Sequence, residues 1–443
     1  MGENQPISPF FGNLRRCMLL EIAVPLLLKG YYAMRAIRKE QLEFLKWEMG
    51  VFFHFGIRTF FEGHQDWDMR EMPLDRFNPV KLDCEQWIKT VKEGGARYAI
   101  LVCKHHDGFA NWPSAYTEYS VKNTPWKDGK GDVVRDFTNA CRKYDIKVGL
   151  YYSPAQFGSA KMNAKEYDDY FINQISELLT NYGKIDYLWF DGCGSENHEY
   201  DTVRITKEIR RMQPDILIFN MWDPDTRWVG NESGIAPMPN YTIQKDLDFS
   251  IRTEDKDVLE DERFLPAECD CRMRLTNWFF SENDFDTVKS VDELMGLYYY
   301  SVGRGSNLLL NLCPDRRGLI PGTDAERFIE FGNKIKEVFS NSLAGMKETT
   351  KENNTYTTEL AAHTLVNTMV IEEDISDGEK ADEFSVYVYP YPYGKRVLVF
   401  KGYTIGHKRI CSFPTIRTQK IDIVIDKANV PCELDDIRLY YVK

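Results

Sequence analysis

Apolar runs of strand length recur through the middle of the chain, and each ends in polar residues capable of chemistry. Near-continuous apolar strands are typical of parallel sheets, in which both faces of a strand are buried. The pattern therefore predicts a buried parallel sheet. The runs lie at residues 50–56, 97–108, 146–154, 184–192, 215–220 and 306–312.

Helical patterns lie between these runs. Asp83 and Asp132 are plausible N-caps for the first two helices, and the pair Gly94-Gly95 ends the first of them. The regular alternation of strand and helix indicates βα units. The helical patterns occupy residues 83–93, 132–144, 167–182 and 200–212.

Six recognisable strands in this region favour an α/β fold of the (β/α)₈ type, a TIM-like barrel that is complete or partly degraded. A doubly wound open sheet is the alternative. No G-x-G-x-x-G motif follows the first strand, which counts against a dinucleotide-binding fold.

The pattern changes after a strongly amphipathic helix at residues 323–339. Short strands separated by turn residues follow, with no helix between them, which predicts an all-β domain that forms a sandwich. We therefore divide the chain into an N-terminal extension (1–40), a catalytic barrel (41–342) and a C-terminal β-sandwich (343–443). The sandwich is most simply a structural cap on the barrel.

Charge and cysteine content narrow the class of protein. The net charge of −12 argues against a nucleic-acid partner. The ten cysteines lack zinc-like spacing, since Cys269 and Cys271 form only a Cys-x-Cys pair, and the count fits free thiols in a reducing compartment.

The N-terminus resembles a signal peptide in part. Arg15-Arg16 precedes an apolar run at residues 17–28, but Glu21 and Pro25 interrupt the run and no small-x-small cleavage site follows. The run is also shorter than the ~20 residues that span a bilayer. These features favour a cytoplasmic protein over a secreted one and predict no membrane partner.

One carboxylate and three histidines stand at predicted strand ends. Asp191 ends an apolar run and is followed by Gly192, which places its side chain at the mouth of a sheet. The alternative is that Asp191-Gly192 is only a turn after a core strand. His54, His105 and His106 also stand at strand ends. In a βα barrel these ends converge on one mouth.

Two kinds of chemistry suit such a set. A metal-dependent barrel hydrolase usually needs His-x-His, because strand side chains alternate, and adjacent His105 and His106 should point apart unless a bend intervenes. Recognition of a hydroxylated ligand is the other option, in which the imidazoles would act around Asp191 together with Lys104, Tyr151, Trp112 and Trp67. Sugar hydrolysis would need a second carboxyl group.

The strand-end motifs resemble those of α-L-fucosidases of glycoside hydrolase family 29. The resemblance spans about residues 41 to 340, and its most specific pieces are Lys-His-His-Asp-Gly-Phe and Trp-Phe-Asp-Gly. It implies a (β/α) barrel with a C-terminal β-sandwich and retaining hydrolysis of terminal α-L-fucose. The matching segments lie at residues 50–56, 77–87, 104–109, 149–154, 188–192 and 307–311.

The resemblance also implies roles for single residues. Asp191 would be the nucleophile, His54, His105 and His106 would contact fucose hydroxyls, and Tyr151 would line the same pocket. Many relatives carry Glu-Trp after the first strand, where this chain has Asp66 and Trp67. The shorter carboxylate puts that polar contact in doubt, although Trp67 could still pack on the sugar.

The acid/base does not stand at one fixed motif in this family. The segment at residues 227–232 resembles the branch that prefers α1,3 and α1,4 linkages, which makes Glu232 the expected acid/base. Glu268 is the rival; we expect it to contact substrate or to pair with Arg272 or Arg274.

Other residues bear on the acceptor side. Arg274 and Trp278 follow Glu268 and are further candidates for substrate binding. Relatives in this branch often carry Ser-Pro-Trp-Asp after the third strand, whereas residues 153–157 here are Ser-Pro-Ala-Gln-Phe. Acceptor contacts, and therefore linkage preference, would then differ.

The resemblance implies neither a cofactor nor a metal, and its partner is a fucosylated oligosaccharide or glycoconjugate glycan. Two other classes stay open. A metal-dependent barrel hydrolase would lose activity on chelation, and a catalytically inactive fucose-binding protein would bind without turnover. The presence of both Asp191 and Glu232 weighs against the inactive protein.

Overall fold

A computed structural model of the chain describes residues 36–63, 71–156, 162–195, 198–248 and 256–443. The predicted sugar contacts Asp66 and Trp67 lie outside the described residues. The apolar run at residues 17–28 and most of the N-terminal extension lie outside them as well. None of the helices in the described part of the chain is long and apolar enough to cross a membrane.

Eight parallel strands form the central sheet, in the spatial order β5-β4-β3-β2-β1-β10-β9-β6. An isolated parallel bridge between Phe219 and Thr226 joins the two edge strands and closes the sheet into a barrel. The predicted TIM-like barrel is therefore confirmed. Its strands are β1 (Met49–Phe53), β2 (Tyr98–Lys104), β3 (Lys147–Tyr152), β4 (Tyr187–Phe190), β5 (Leu217–Phe219), β6 (Arg227–Trp228), β9 (Ala267–Arg272) and β10 (Ser306–Asn311).

Helices cover the outside of the barrel. Asp83 and Asp132 accept the backbone N–H of Gln86 and Arg135 at 3.0 and 2.9 Å, as predicted for N-caps. The apolar faces of the helices pack on outward strand residues in one large core. The helices are α1 (Lys39–Leu45), α2 (Cys84–Glu93), α3 (Val133–Tyr144), α4 (Ala164–Asn181), α5 (Thr202–Met212), α6 (Val291–Tyr300) and α7 (Gly322–Phe339). Short 3₁₀ turns span Ile57–Phe60, Leu74–Arg76, Val121–Asn123, Trp126–Gly129 and Met346–Glu348.

The barrel interior is packed with aromatic side chains, because alternate residues of each strand point inward. Phe52, Tyr98, Tyr187 and Trp189 belong to this inner core, together with Phe44 from α1. Asn307 in β10 donates to the carbonyl of Phe44 at 2.8 Å, which holds α1 beneath the sheet. The N-terminal end of the barrel is therefore filled, and a pocket can open only at the C-terminal mouth.

Two of the eight strands are not among those predicted. β6 has only two residues, and β9 carries charged residues at alternate positions. Between them an antiparallel hairpin leaves the barrel, formed by β7 (Ile243–Asp248) and β8 (Lys256–Phe264). The segment at residues 227–232, which holds the expected acid/base Glu232, thus begins with a barrel strand.

The C-terminal region is all-β, as predicted. Seven antiparallel strands pair in the order β11-β17-β13-β16-β14-β15, with β12 on β13. The long strand β13 shifts register between Glu359 and Thr364, and residues from both of its halves share one apolar core. The strands are β11 (Ala344–Gly345), β12 (Thr349–Glu352), β13 (Thr355–Glu373), β14 (Ala381–Pro390), β15 (Val397–Gly402), β16 (Arg409–Ala428) and β17 (Leu434–Tyr440).

The sandwich packs against the barrel away from its mouth. Ile410 and Tyr440 join the core beneath the barrel helices. Lys408 pairs with Glu48, which precedes β1 at the closed end of the barrel. The change from helix to antiparallel strand falls between Phe339 and Ala344, and the division at residues 342 and 343 stays a prediction.

Candidate active site

A pocket opens at the C-terminal mouth of the barrel, where the strand ends converge. Seven of the predicted site residues line it, although they come from segments more than two hundred residues apart. They are His54, His105, His106, Tyr151, Asp191, Glu232 and Trp278.

Asp191 directly follows β4 and faces into this pocket. The Tyr151 hydroxyl donates to its Oδ2 and the Cys193 backbone N–H to its Oδ1, both at 2.9 Å. The Nε2 of His106 lies 3.4 Å from the same Oδ2. Burial opposes ionisation, but His106 and the two hydrogen bonds outweigh it and lower the pKa of Asp191. Asp191 is therefore a held, ionised carboxylate at neutral pH.

The histidines His54 and His105 are neutral at neutral pH. Burial lowers the pKa of His54 to about 3, and its Nδ1 lies 2.8 Å from the amide oxygen of Asn311. Burial also lowers the pKa of His105 well below its usual value. A neutral imidazole has one donor and one acceptor nitrogen, which suits the hydroxyl groups of a polar ligand.

His105 and His106 do not point apart, which corrects the expectation from strand alternation. β2 ends at Lys104, and a turn in which Gly108 N–H donates to the His105 carbonyl at 3.0 Å follows. Both rings consequently line the pocket, with centroids 4.3 Å apart. The Nδ1 of His106 lies 2.5 Å from the Ser153 hydroxyl, which orients the ring toward Asp191.

The same turn brings three possible metal ligands together. One donor atom from each of His105, His106 and Asp191 lies within 4.8 Å of the others. Two imidazoles and a carboxylate are a donor set that Zn²⁺ accepts in catalytic sites. The nitrogens of His106, however, already face Ser153 and Asp191.

Glu232 lies in the loop after β6, on the wall of the same pocket. Its Oε2 accepts a hydrogen bond from the Trp278 indole N–H at 3.3 Å and lies 3.8 Å from an Arg272 guanidinium nitrogen. Burial raises the pKa of Glu232, Arg272 and Trp278 oppose the shift, and the charge of Asp191 adds to it. Asp191 and Glu232 therefore line one pocket with pKa values displaced in opposite directions.

Glu268 is not in the pocket, which corrects its expected role as a substrate contact. It lies in the barrel interior with no exposed surface. Tyr98 O–H donates to it at 2.6 Å, Trp189 N–H at 2.9 Å and Tyr187 O–H at 3.3 Å. Tyr98 and Tyr187 begin their strands, so Glu268 lies near the closed end, and these donors take the place of the expected arginine partner.

Arg274 is likewise remote from the pocket, contrary to expectation. Its guanidinium is buried and makes two hydrogen bonds to Asp324, at 2.9 and 3.0 Å. It also lies 3.4 Å from Asp284. Arg274 is therefore paired with two buried carboxylates and belongs to an internal ion-pair cluster.

Trp278 does lie in the pocket. Its ring centroid is 4.9 Å from that of His54, with an angle of 34° between the planes. The Arg272 guanidinium carbon lies 5.4 Å from the centroid of the same ring. An indole at a pocket wall offers both an apolar face and an N–H donor.

Sequence reasoning missed several lining residues. Asp270 and Trp228 line the pocket and contact each other, with the Trp228 N–H donating to Asp270 Oδ1 at 2.7 Å. Trp189 forms part of the floor and stacks on Tyr151 with centroids 5.4 Å apart. The alternation from Glu268 to Asp270 would have placed Asp270 on the inner face, had β9 been recognised as a strand.

A barrel whose mouth combines an ionised carboxylate, a carboxyl of raised pKa and aromatic walls is the arrangement of a glycoside hydrolase. The comparison with known families agrees. The model of the α-L-fucosidase family matches residues 32–337. The chain therefore belongs to the α-L-fucosidase family, glycoside hydrolase family 29.

Individual relatives match over most of their length. The chain is 31% identical to alpha-L-fucosidase 1 of Arabidopsis thaliana, covering 90% of this chain and 87% of that one. A crystal structure of a glycoside hydrolase 29 family member from an unknown rumen bacterium is 33% identical, with a TM-score of 0.83 over 93% of this chain and 78% of that one. A Ruminococcus gnavus fucosidase in complex with fucose is 26% identical, with a TM-score of 0.79 over 92% and 95% of the two chains.

Proposed function

We propose that this protein is a retaining exo-α-L-fucosidase that removes terminal α-L-fucose from oligosaccharides or glycoconjugate glycans. The observation that carries the proposal is the pair of carboxyl groups in one pocket, with Asp191 ionised and Glu232 shifted toward its protonated form. Double displacement needs one nucleophile and one acid/base. Membership of the α-L-fucosidase family indicates the sugar, and the two carboxyl groups indicate double displacement as the mechanism.

In the first step an Asp191 carboxylate oxygen attacks the anomeric carbon of the fucosyl group. The bond from that carbon to the leaving oxygen breaks, and Glu232 transfers its proton to this oxygen. In the second step water attacks the anomeric carbon, Glu232 takes a proton from the water, and the bond to Asp191 breaks. Each carboxyl group returns to its starting state, and the fucose released retains the α configuration.

The remaining pocket residues would bind the sugar. His54 and His105 are neutral and buried, so each can hydrogen-bond to a hydroxyl group without carrying a charge. His106 and Tyr151 contact Asp191 directly and would orient its carboxylate. Trp278 would place its indole face against the ring. The proposal needs no cofactor.

The roles of the two carboxyl groups can be separated by azide rescue. Asp191→Ala should abolish turnover of an aryl α-L-fucoside while the fold is retained, and added azide should yield fucosyl azide of inverted configuration. Glu232→Gln with azide should yield the retained configuration, because the covalent intermediate still forms. Near-normal turnover by Asp191→Ala would contradict the nucleophile assignment.

We further propose a preference for α1,3 and α1,4 linkages. The support is the resemblance of residues 227–232 to that branch, together with a pocket rim built from Glu232, Arg272 and Trp278. A panel of α1,2-, α1,3-, α1,4- and α1,6-fucosylated oligosaccharides tests this. Turnover concentrated on branched α1,3 and α1,4 substrates supports the preference, and turnover concentrated on α1,2 or α1,6 substrates contradicts it.

The comparisons with known proteins do not favour the metal-dependent hydrolase that the sequence left open, but the cluster of His105, His106 and Asp191 makes it testable. The two functions differ in one measurement. The double-displacement enzyme should keep its turnover after exhaustive dialysis against a chelator. Loss of turnover that Zn²⁺ restores would favour the metal-dependent hydrolase.

A further inference from the structure

The inner face of β9 carries three charged residues at three depths. Glu268, Asp270 and Arg272 alternate with residues of the outer face, so all three point into the barrel. Glu268 has no exposed surface, Asp270 is 5% exposed, and the Arg272 side chain is 28% exposed. Asp270 therefore stands between the closed interior and the rim.

Asp270 is held on one side and accessible on the other. The Trp228 indole donates to its Oδ1 at 2.7 Å, which fixes the plane of the carboxyl group. Over the described ranges of the chain, no side chain donates to Oδ2, and Asp270 lines the pocket. A hydroxyl group of a ligand in the pocket would hydrogen-bond to this second carboxyl oxygen.

The charge state of this group suits a hydroxyl partner. Burial raises the pKa of Asp270 well above its usual value, and the charge of Glu232 raises it further. A protonated carboxyl can donate as well as accept a hydrogen bond. Glu232 lies nearer the rim, with 28% of its side chain exposed. Asp270 therefore lies deeper in the pocket than Glu232, where the sugar ring would sit when Glu232 faces the leaving group.

We propose that Asp270 is a further substrate-binding residue, which recognises one hydroxyl group of the sugar ring held in this pocket. The inference rests on the proposed function, because the sugar is the one that function assigns. A site built to hydrogen-bond a particular hydroxyl strongly rejects the analogue that lacks it. Asp270 would thus contribute to the choice among sugars that differ at a single hydroxyl position.

The experiment compares Asp270→Asn with the wild type on an aryl α-L-fucoside and on its monodeoxy derivatives, each lacking one ring hydroxyl. The substitution keeps an oxygen for the Trp228 N–H. We expect kcat/KM on the parent fucoside to fall about 10- to 100-fold, the loss associated with one hydrogen bond of this kind. One deoxy derivative lacks the hydroxyl group that Asp270 binds, so the contact is already absent there. On that derivative the same substitution should change kcat/KM by less than about threefold.

Glu268→Gln is the matched control, because it lies two residues away on the same face but outside the pocket. It should change kcat/KM by one common factor on every substrate. A common factor for Asp270→Asn as well would overturn the proposal and leave only a structural role. Azide should not restore Asp270→Asn, and restoration would also overturn the proposal, since it would make Asp270 the acid/base.

Two further measurements keep the outcomes separate. If Asp270→Asn does not fold, Trp228→Phe removes the side-chain donor that orients Asp270 and should give a smaller loss selective for the same hydroxyl. A uniform loss in that variant overturns the proposal. Failure of the wild type to hydrolyse any fucoside would contradict the proposed function, whereas wild-type turnover with a uniform Asp270→Asn loss contradicts only this inference.

Discussion

Glu232→Gln is the substitution whose consequence the pocket geometry defines in most detail. The change is isosteric, so the side-chain oxygen can still accept the Trp278 N–H, which lies 3.3 Å away. The contact with Arg272 is long, at 3.8 Å, and each side chain is 28% exposed, so its loss costs at most about 1 kcal/mol. What the variant loses is the transferable proton.

The magnitude follows from that loss. A positioned general acid contributes about 10²- to 10⁴-fold, or roughly 3–5 kcal/mol, when the leaving group needs a proton. We therefore expect kcat/KM on a fucosylated oligosaccharide to fall by that factor. An aryl fucoside with an acidic phenol needs no proton on departure, so its kcat/KM should fall less than about tenfold. Its kcat should still drop, because water attack on the intermediate has lost its base.

The assay is steady-state kinetics on both substrates, with and without azide. Azide attacks without a base, so it should raise kcat of the variant on the aryl fucoside and leave the wild type unchanged. The control is Glu282→Gln, a carboxylate that pairs with Arg316 at 3.0 Å outside the pocket. Equal losses on the two substrates with no azide effect would refute the assignment of Glu232 as the acid/base.

The remaining predictions concern buried charges. Burial raises the pKa of Glu268 to about 7, so the folded state keeps a proton that the unfolded state releases near pH 4.5. The free energy of unfolding should therefore fall by up to about 3 kcal/mol as the pH rises from 4.5 to 7. Urea midpoints of the wild type and Glu268→Gln from pH 4.5 to 8 test this, and parallel curves would contradict it. Arg274→Ala leaves Asp324 and Asp284 buried without their cation, so the free energy of unfolding measured in urea should fall by about 3–5 kcal/mol. An unchanged urea midpoint would contradict the ion-pair role. Burial lowers the pKa of Lys104 to about 7, although Asp107 opposes the shift, so above pH 7 the folded state releases a proton that the unfolded state keeps. The free energy of unfolding of the wild type should therefore rise relative to that of Lys104→Met from pH 7 to 10. A difference between the two proteins that stays constant with pH would contradict this.

The strand-end residues were predictable because their local pattern carries the signal. Asp191 follows four buried residues of β4, and His54 follows β1. A (β/α) barrel collects such positions at one mouth, so sequence separation does not matter. The helices were predictable for a similar reason, since Asp83 and Asp132 mark their starts.

β9 was not predictable from hydrophobicity, because its inner face is polar. Glu268, Asp270 and Arg272 point inward while Cys269 and Cys271 point outward, which hides the apolar run expected of a barrel strand. Glu268 was expected at the substrate from the resemblance, whereas its position on the inner face of β9 places it in the closed interior. Its tyrosine and tryptophan donors come from β2 and β4, and no local pattern links them to it.

Two other outcomes depend on tertiary structure. The convergence of His105 and His106 requires the turn after Lys104, because within a continuing strand they would lie on opposite faces. The pairing of Arg274 with Asp324 joins residues fifty positions apart. Neither contact is encoded by spacing along the chain.

The central claim is that Asp191 forms a covalent bond to the sugar. Incubation with a fluorinated fucosyl fluoride, whose intermediate hydrolyses slowly, followed by proteolysis and mass spectrometry, tests it directly. We predict a fluorofucosyl group on the Asp191 carboxylate, and no labelling of Asp191→Ala. Labelling of a different residue, or release of β-L-fucose as the first product, would contradict the account.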